Sequence, residues 1–320
     1  MTATPYLGVH CETTATGTLL GAVGCDLPEA LLFGLGEAFG FVYLNLSSLP
    51  LGFLGGRSKP FDLTEAACRN LGLTCTSTET TSTTRSWERL VDLLADGPVG
   101  LQLDCYYLPY FEHAPHFAGH FLAATGLDGD VVEVVDTVQQ GTLQRVARDA
   151  IQAARHAKGP MSAKARTYTI SGTAATDLGA AVLSAIKATA TSYLSPAFAG
   201  IGAQGIAKVG KILPRWAGSP AEDLRLMADL MERAGTGGAL FRNLYRDFLD
   251  EAASLVPRHA PEILEARDHI ATSAQGWTRI ADLIERCADD GDAAHLIEAA
   301  ALCGPIAEAE VAAMRILADL

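Results

Sequence analysis

The stretch GVHCETTATGTLL, residues 8–20, decides how we expect the chain to fold, because it places a cysteine directly before small and apolar residues. Such a run is typical of a buried helix, predicted here from about Cys11 to Val23. The first N–H groups of a helix have no acceptor within it, and the helix dipole is positive at that end. Cys11 therefore lies where a thiolate, the nucleophilic form of cysteine, is stabilised. The alternative is a cysteine that serves only as a small buried side chain.

A predicted β-hairpin carries two further reactive side chains. The runs HFLAATGL (120–127) and VVEVVDTV (131–138) are strand-like, and the turn signal DGD separates them. His120 begins the first strand and Asp136 ends the second, so the hairpin folds them toward each other. Both numbers are even. An odd-length loop such as DGD therefore puts the two side chains on one face, whereas a two-residue loop puts them on opposite faces.

A shared face matters because a carboxylate that holds one imidazole nitrogen leaves the other nitrogen free to act on a thiol. A cysteine, a histidine about a hundred residues later on a strand, and an acid on the next strand follow the chain order of papain-like folds. Two alternatives stay open: His120 is a structural strand histidine, or it binds zinc together with His113 and His116. Pro115 argues against zinc, because it prevents the regular helix that would align these ligands.

The pattern of the chain changes near residue 170. Before it, helices predicted at Asp62–Asn70 and in SWERLVDLLADG (86–97) alternate with strand-like runs, while the polar TSTETTSTTRS (76–86) predicts a loop. Beyond residue 171, alanine, leucine and charged residues recur at helical spacing and strand signals stop. We therefore predict an α+β fold in two domains, a papain-like cysteine-enzyme domain at 1–170 and an all-helical domain at 171–320.

Composition limits the function classes. The chain has 320 residues, of which 49% are hydrophobic, enough for two buried cores. Its net charge of −13 argues against a nucleic-acid partner, since phosphate binding needs a basic surface. The seven cysteines include no C-x-x-C pair, which predicts free thiols and no metal site. GLGEAFG (34–40) lacks the G-x-G-x-x-G spacing of a dinucleotide loop. The N-terminus lacks a secretory pattern and charged residues and proline interrupt the apolar stretch 180–212, so we expect a cytoplasmic protein without a membrane span.

These residues resemble a known family. The run HCETTATGTLL, followed by LPEALLFGLGEAFGFVYL (27–44), LDCYYLPY (103–110) and the motifs HF and VVD, is similar to the N-terminal domain of the BtrH-like family of butirosin biosynthesis. GTGGALFRNLYRDFLDEAA (235–253) resembles the helical domain that commonly follows it. The resemblance covers most of the chain. It implies a papain-like acyltransferase that moves an acyl group from a carrier-protein thioester to an amine or hydroxyl.

The resemblance also implies residue roles, with Cys11 as nucleophile, His120 as general base and Asp136 as the acid that orients the imidazole. Many papain-like enzymes place a glutamine six residues before the cysteine to help form the oxyanion hole. This chain has Pro5 at that position. The backbone N–H of Cys11 can supply one donor, and Gln102 is the candidate for the second. No cofactor is expected, because the acyl group arrives on the phosphopantetheine arm of the carrier protein.

Further residues are candidates for binding. Carboxylate and phenol groups suit ammonium and hydroxyl groups, so we expect a substrate site that includes His10, Gln102, Asp104, Tyr106, Tyr107 and Tyr110. The alternative for the aromatic residues is packing at a domain interface. Arg242 and Tyr245 are expected to structure the helical domain, unless Arg242 holds an aspartate near the cleft.

A basic segment is the candidate surface for the carrier protein. No acidic residue occurs between Asp177 and Glu222, and the segment contains Lys208, Lys211 and Arg215. Carrier proteins are usually acidic, so we expect these cations to dock one, unless they only keep the helices soluble. Two other functions stay open, a thioesterase or cyclase that releases a carrier-bound chain, and a non-catalytic scaffold that binds carriers. The oligomeric state is open between monomer and homodimer.

Overall fold

The computed structural model describes residues 4–45, 51–112, 115–159, 161–174, 177–232 and 237–320. The chain forms two compact units. Unit 1 comprises Met1–Leu32 and Pro60–Thr176, and unit 2 comprises Phe33–Lys59 and Asp177–Leu320. Residues 33–59, which the sequence analysis placed in the N-terminal domain, group with the helical part of the chain instead.

The strands of the described residues are β1 (Phe39–Leu44), β2 (Phe53–Arg57), β3 (Thr74–Thr78), β4 (Val99–Leu103), β5 (His120–Asp128), β6 (Val131–Val135), β7 (Leu143–Ala147) and β8 (Thr167–Ser171). The helices are α1 (Cys11–Ala22), α2 (Glu29–Leu35), α3 (Asp62–Asn70), α4 (Thr83–Leu94), α5 (Arg148–Arg155), α6 (Leu178–Leu194), α7 (Gly202–Ile212), α8 (Ala221–Glu232), α9 (Ala239–Leu255), α10 (Ala260–Asp290) and α11 (Ala294–Ala318). Short 3-10 helices occur at Cys105–Tyr107, Val138–Gln140, Leu213–Trp216 and Pro257–His259.

Unit 1 is built on a six-stranded sheet in the order β3-β8-β4-β5-β6-β7. Every neighbouring pair of these strands is antiparallel. Helices α4 and α5 pack on the central strands through an apolar cluster that includes Trp87, Leu101, Leu122, Val134 and Ile151. Helix α1 packs mainly against β5. The sheet therefore brings the start of β5 close to the helix that begins at Cys11.

Helix α1 is buried along most of its length, because its side chains are small and its hydroxyl groups are satisfied locally. All residues from Glu12 to Leu20 are buried. Thr14 and Thr18 donate their hydroxyl groups to carbonyl oxygens one turn earlier, at 2.7 and 2.9 Å. A Cβ added at Gly17 would lie 2.5 Å from the Tyr6 ring, so only glycine lets this ring pack on the helix. The sequence prediction of a buried helix at this place is confirmed.

The buried Glu12 carboxylate joins α1 to α3. It accepts the backbone N–H groups of Phe61 (3.2 Å) and Thr64 (3.1 Å) and the Thr64 hydroxyl (3.0 Å). These are the N–H groups that a helix start leaves without partners, and an anion is stabilised there. Phe61, which precedes α3, has a left-handed backbone (φ 81°) and no side-chain cap. Glu12 therefore supplies from another helix the cap that the local sequence lacks.

Unit 2 consists of helices packed around the hairpin of β1 and β2, which pair antiparallel. Its core contains Phe41, Ile206, Trp277, Ile284 and Leu296, all nearly fully buried. The rings of Phe41 and Trp277 stack with centroids 5.2 Å apart. The predicted α+β fold, with a sheet-containing N-terminal part and a helical C-terminal part, is confirmed. The presence of a hairpin in the helical unit was not expected.

A buried ion pair lies at the centre of unit 2. Arg242 on α9 donates to Glu310 on α11 at 2.8 Å from Nε and at 3.1 Å from Nη2, and neither side chain is exposed to solvent (0% for both). The carboxylate oxygens of Glu310 also accept hydrogen bonds from Tyr193, Ser273 and Trp277. Arg242 therefore structures the helical unit as the sequence analysis expected, but its partner is this glutamate and not an aspartate.

The loop predicted at 76–86 is wrong over most of its length. Its first residues belong to β3, and α4 begins at Thr83. Strand β3 is an edge strand whose side chains are largely exposed serines and threonines, so it has no apolar alternation to reveal it. Helix α4 is capped by Ser82, whose hydroxyl accepts the N–H of Arg85 at 3.3 Å.

Candidate active site

Cys11 is the first residue of α1 and is partly exposed. His10 caps this helix, since its Nδ1 accepts the N–H of Thr13 at 3.4 Å. His10 is 2% exposed. The structure gives His10 a role as helix cap, and whether its buried ring also lines a substrate site stays a prediction. Cys11 thus stands at the end of the helix where the first N–H groups have no acceptor within it, as the sequence predicted.

Glu29, at the start of α2, fixes the backbone before Cys11. Its carboxylate accepts the N–H groups of Val9 (3.0 and 2.9 Å) and His10 (2.9 Å) and the hydroxyl of Thr13 (2.6 Å). The sequence analysis missed this residue, because an acidic residue in the first turn of a helix is also explained by the dipole of its own helix. Only the fold shows that Glu29 orients the approach to Cys11.

The hairpin brings His120 and Asp136 to one face by a route that the sequence did not reveal. The predicted odd-length loop is wrong, because Asp128 pairs directly with Val131 and leaves a two-residue turn. A β-bulge compensates. The pairing shifts between Ala124 and Gly126, so the intervening residue has no partner of its own. One extra residue restores the parity that the two-residue turn would have reversed.

His120 Nε2 and Asp136 Oδ2 are 2.8 Å apart, and both side chains are almost inaccessible to solvent. Burial by itself lowers the pKa of His120. The negative charges of Asp136 and Cys11 and the hydrogen bonds to both outweigh burial and raise this pKa well above its usual value. Because Asp136 holds Nε2, the other ring nitrogen is the one left to interact with Cys11. The structure thus brings a thiol, an imidazole and a carboxylate together.

The Asp136 carboxylate has two further donors. Tyr110 donates its hydroxyl to Oδ2 at 2.8 Å, and the backbone N–H of Thr137 donates to Oδ1 at 2.7 Å. Tyr110 was expected to bind substrate, but its hydroxyl instead contacts the carboxylate that holds His120. The segment after Asp136 also touches the segment before Cys11, since Val138 N–H donates to the Gly8 carbonyl at 3.0 Å.

Gln102 does not fit the role of second oxyanion-hole donor. Its amide nitrogen donates to the carbonyls of Ala118 (3.2 Å) and Met161 (2.8 Å), and its amide oxygen accepts from Arg166 (2.8 Å). Gln102 pairs with Phe121 across β4 and β5, while Leu103 pairs with His120. Neighbouring residues of a strand point to opposite faces. Gln102 therefore points away from the face of His120, and its polar atoms are already bonded.

Asp104 also departs from its expected role in binding substrate. The side chain is buried and accepts the N–H groups of Tyr106 (3.1 Å) and Phe117 (2.9 Å), and its other oxygen lies 2.9 Å from His116 Nδ1. It thereby closes the loop between β4 and β5. Tyr106 and Tyr107 are 52% and 38% exposed, and the Tyr106 ring stacks on His116 with centroids 3.9 Å apart. These rings, and not the carboxylate, are the accessible part of the expected substrate site.

The basic residues predicted to dock a carrier all lie at the surface of unit 2. Lys208 and Lys211 are exposed on α7, and Arg215 is exposed on the short helix that follows. Lys208 Nζ lies 5.4 Å from the centroid of the Tyr43 ring. Lys208 and Lys211 are three residues apart on α7, so their charges lie on the same side of that helix.

The zinc alternative involves His113, which lies outside the described residues. Within the described part of the chain, no group of three or more histidine, cysteine, aspartate or glutamate side chains is arranged to hold a metal ion. His116 and His120 contact different carboxylates, Asp104 and Asp136. These two histidines thus belong to two separate hydrogen-bonded pairs.

The fold and site define an α+β protein with a cysteine, histidine and aspartate grouped at the start of a buried helix. Residues 10–137 match the family model "Butirosin biosynthesis protein H, N-terminal", and residues 149–317 match "Domain of unknown function (DUF4872)". The chain belongs to this BtrH-like family, which confirms the resemblance seen in the sequence. The comparison with curated proteins finds no match. Among the described residues, no helix combines the length and apolar composition needed to cross a membrane.

Proposed function

We propose that the chain is a cysteine-dependent acyltransferase of natural-product biosynthesis, with Cys11 as nucleophile, His120 as general base and Asp136 as the residue that orients the imidazole. The observation that carries the proposal is the 2.8 Å contact of His120 with Asp136 beside Cys11, at the N-terminus of a buried helix. The family description supports a role in antibiotic biosynthesis, since it names a butirosin biosynthesis protein. The arrangement has the chain order and partners of papain-like enzymes.

The proposed reaction has two steps. First, the Cys11 thiolate attacks the carbonyl carbon of a carrier-bound thioester, and the backbone N–H at the start of α1 donates to the oxyanion. The carbon–sulfur bond to the carrier breaks, and the carrier thiolate takes a proton from the His120 imidazolium. Second, an amine attacks the acyl-enzyme, His120 accepts the amine proton, and the Cys11 thiolate leaves. The carrier-bound thioester and the acyl-enzyme thioester are similar in energy. The exclusion of water from the site therefore decides whether the acyl group is transferred to the amine or hydrolysed.

Intact-protein mass spectrometry tests this assignment. After exposure to a small acyl thioester, the wild-type chain should gain the mass of one acyl group, and the Cys11→Ala variant should gain none. The matched control is Cys75→Ala, which removes another partly exposed thiol and should leave the adduct unchanged. An adduct that persists in Cys11→Ala would contradict the assignment, and a wild-type chain that never forms one would favour a carrier-binding scaffold.

The fate of the adduct separates transfer from release. When an amine acceptor is added, an acyltransferase forms the amide and regenerates the free thiol. A thioesterase loses the acyl group to water at the same rate with and without the amine, and a cyclase releases a ring from the chain itself. We propose that the exposed rings of Tyr106 and Tyr107 contact the acceptor. Tyr106→Ala should therefore raise the KM for the amine and leave the rate of adduct formation unchanged.

The partner that we propose is an acidic acyl or peptidyl carrier protein, docked on the surface formed by Lys208, Lys211 and Arg215. Charge complementarity supports it, because these exposed cations lie in a segment without acidic residues in a chain of net charge −13. Reversing all three to glutamate should raise the KM for a carrier-bound substrate and not for a small thioester. The single variant Lys208→Glu has a matched control in Lys187→Glu, which reverses the charge of an exposed residue of α6. Equal effects on both substrates would contradict docking at this surface.

A further inference from the structure

Tyr110 lies in the loop between β4 and β5 and contacts the candidate site through Asp136. Its hydroxyl donates to Asp136 Oδ2 at 2.8 Å, the same oxygen that lies 2.8 Å from His120 Nε2. The next residue, Phe111, packs edge-on against the His120 ring, with centroids 5.2 Å apart and an interplanar angle of 82°. Two adjacent residues of one loop thus contact both members of the histidine–aspartate pair.

The carboxylate that Tyr110 contacts is completely buried, at 0% exposure. A buried carboxylate needs hydrogen bonds for both oxygens, since water cannot solvate it. Thr137 N–H supplies one donor to Oδ1, while Oδ2 is shared by His120 and Tyr110. Without the phenol, the His120 imidazole would be left as the side-chain partner of this oxygen among the described residues, and the carboxylate could rotate about its terminal bond.

The environment keeps the Tyr110 hydroxyl in its donor form. Burial, followed by the charge of Asp136 and the hydrogen bond to it, raises the pKa of Tyr110 far above its usual value. The phenol therefore stays protonated throughout the working pH range of an enzyme. The loop that presents it is fixed at its base by Asp104, which accepts the N–H groups of Tyr106 and Phe117.

We infer that Tyr110 is a positioning residue that holds the Asp136 carboxylate in the orientation that His120 requires. The inference rests on the proposed function and replaces the expectation that Tyr110 binds substrate. A residue that acts through Asp136 affects the chemical step, whereas a substrate-binding residue affects KM. The two roles also differ in coupling, because a residue that acts through Asp136 has no effect once that carboxylate is gone.

The test combines kinetics with a spectroscopic readout. Tyr110→Phe should lower kcat by about 10- to 100-fold, the size of one hydrogen bond to a charged group, and leave KM for a small thioester unchanged. In an Asp136→Ala background, adding Tyr110→Phe should change kcat by less than about 2-fold. The matched control is Tyr6→Phe, which removes a tyrosine hydroxyl that donates to the Leu27 carbonyl at 2.8 Å and should leave kcat unchanged.

Proton NMR of the imidazole N–H gives a readout that does not depend on acyl transfer. The hydrogen-bonded His120 N–H should resonate far downfield in the wild type and in Tyr6→Phe, and should be broadened by exchange in Tyr110→Phe. If the resonance is unchanged in Tyr110→Phe and KM rises instead, the positioning role is refuted. If the resonance is lost in Tyr110→Phe although the wild type transfers no acyl group, the positioning role stands and the proposed function fails.

Discussion

Replacing Glu310 with glutamine should destabilise unit 2 by about 3 kcal/mol, because it leaves the buried Arg242 guanidinium without a counter-charge. Breaking a buried pair typically costs about 3–5 kcal/mol. The lower end applies here because the guanidinium lies 5.1 to 5.6 Å from the ring centroids of Phe39, Phe41 and Trp277, and these cation–π contacts remain in the variant. Tyr193, Ser273 and Trp277 also donate to Glu310, and the glutamine leaves them one oxygen acceptor instead of two, which adds to the loss.

Urea unfolding followed by far-UV circular dichroism measures this loss. With a slope of about 2–3 kcal/mol per molar urea, the midpoint should fall by about 1–1.5 M. Glu298→Gln is the matched control. Glu298 lies on α11, like Glu310, and contacts Arg279 of α10 at 2.7 Å, but its side chain is 53% exposed and that of Arg279 is 39% exposed. A surface pair of this kind contributes about 0–1 kcal/mol.

The reasoning is refuted if Glu310→Gln costs no more than Glu298→Gln. A second variant separates charge from packing. The double variant Arg242→Met with Glu310→Met removes both charges, so it leaves no ion uncompensated and should recover part of the stability lost in Glu310→Gln. A double variant that is less stable than Glu310→Gln would show that the hydrogen bonds of the cluster, and not the uncompensated charge, dominate.

Two further predictions concern the candidate site. Because the Asp136 carboxylate helps to raise the pKa of His120, Asp136→Asn should lower this pKa and move the alkaline limb of the pH–rate profile to lower pH. An alkaline limb that does not move would contradict the proposed role of Asp136. Alkylation of the folded chain by iodoacetamide, located by peptide mapping, should modify Cys11 first and Cys75 second. A hydrogen bond lowers the pKa of Cys75, whereas burial raises the pKa of Cys105 to about 11. If Cys105 reacts as fast as Cys11, the predicted order is wrong.

The parts of the fold that follow from local pattern could be predicted. The buried helix at Cys11, the helix at Asp62–Asn70 and the strands on either side of the DGD turn occur as predicted, because apolar spacing and turn residues act over a few neighbouring positions. The edge strand β3 was not predicted, because its sequence lacks such a local pattern. Its side chains are polar and exposed, and only its pairing with β8 makes it a strand.

The face shared by His120 and Asp136 illustrates a correct expectation reached for a wrong reason. The sequence suggested an odd-length loop, while the structure has a two-residue turn and a bulge at Thr125. A bulge depends on the pairing of both strands and on what packs against them, so the sequence of one strand does not encode it. The parity of the two positions was therefore right, but its cause lies in the sheet.

By itself, the sequence determined which reactive residues the chain contains and which local elements carry them. Cys11 begins a helix, and His120 begins a strand, because such signals act within a few residues along the chain. Only the tertiary structure decided the partners of those residues. Glu29 accepts a hydrogen bond from the backbone before Cys11, and Tyr110 donates one to Asp136. Gln102 accepts a hydrogen bond from Arg166. These contacts join positions 20 to 64 residues apart, and their formation depends on packing and strand register, which no local pattern specifies.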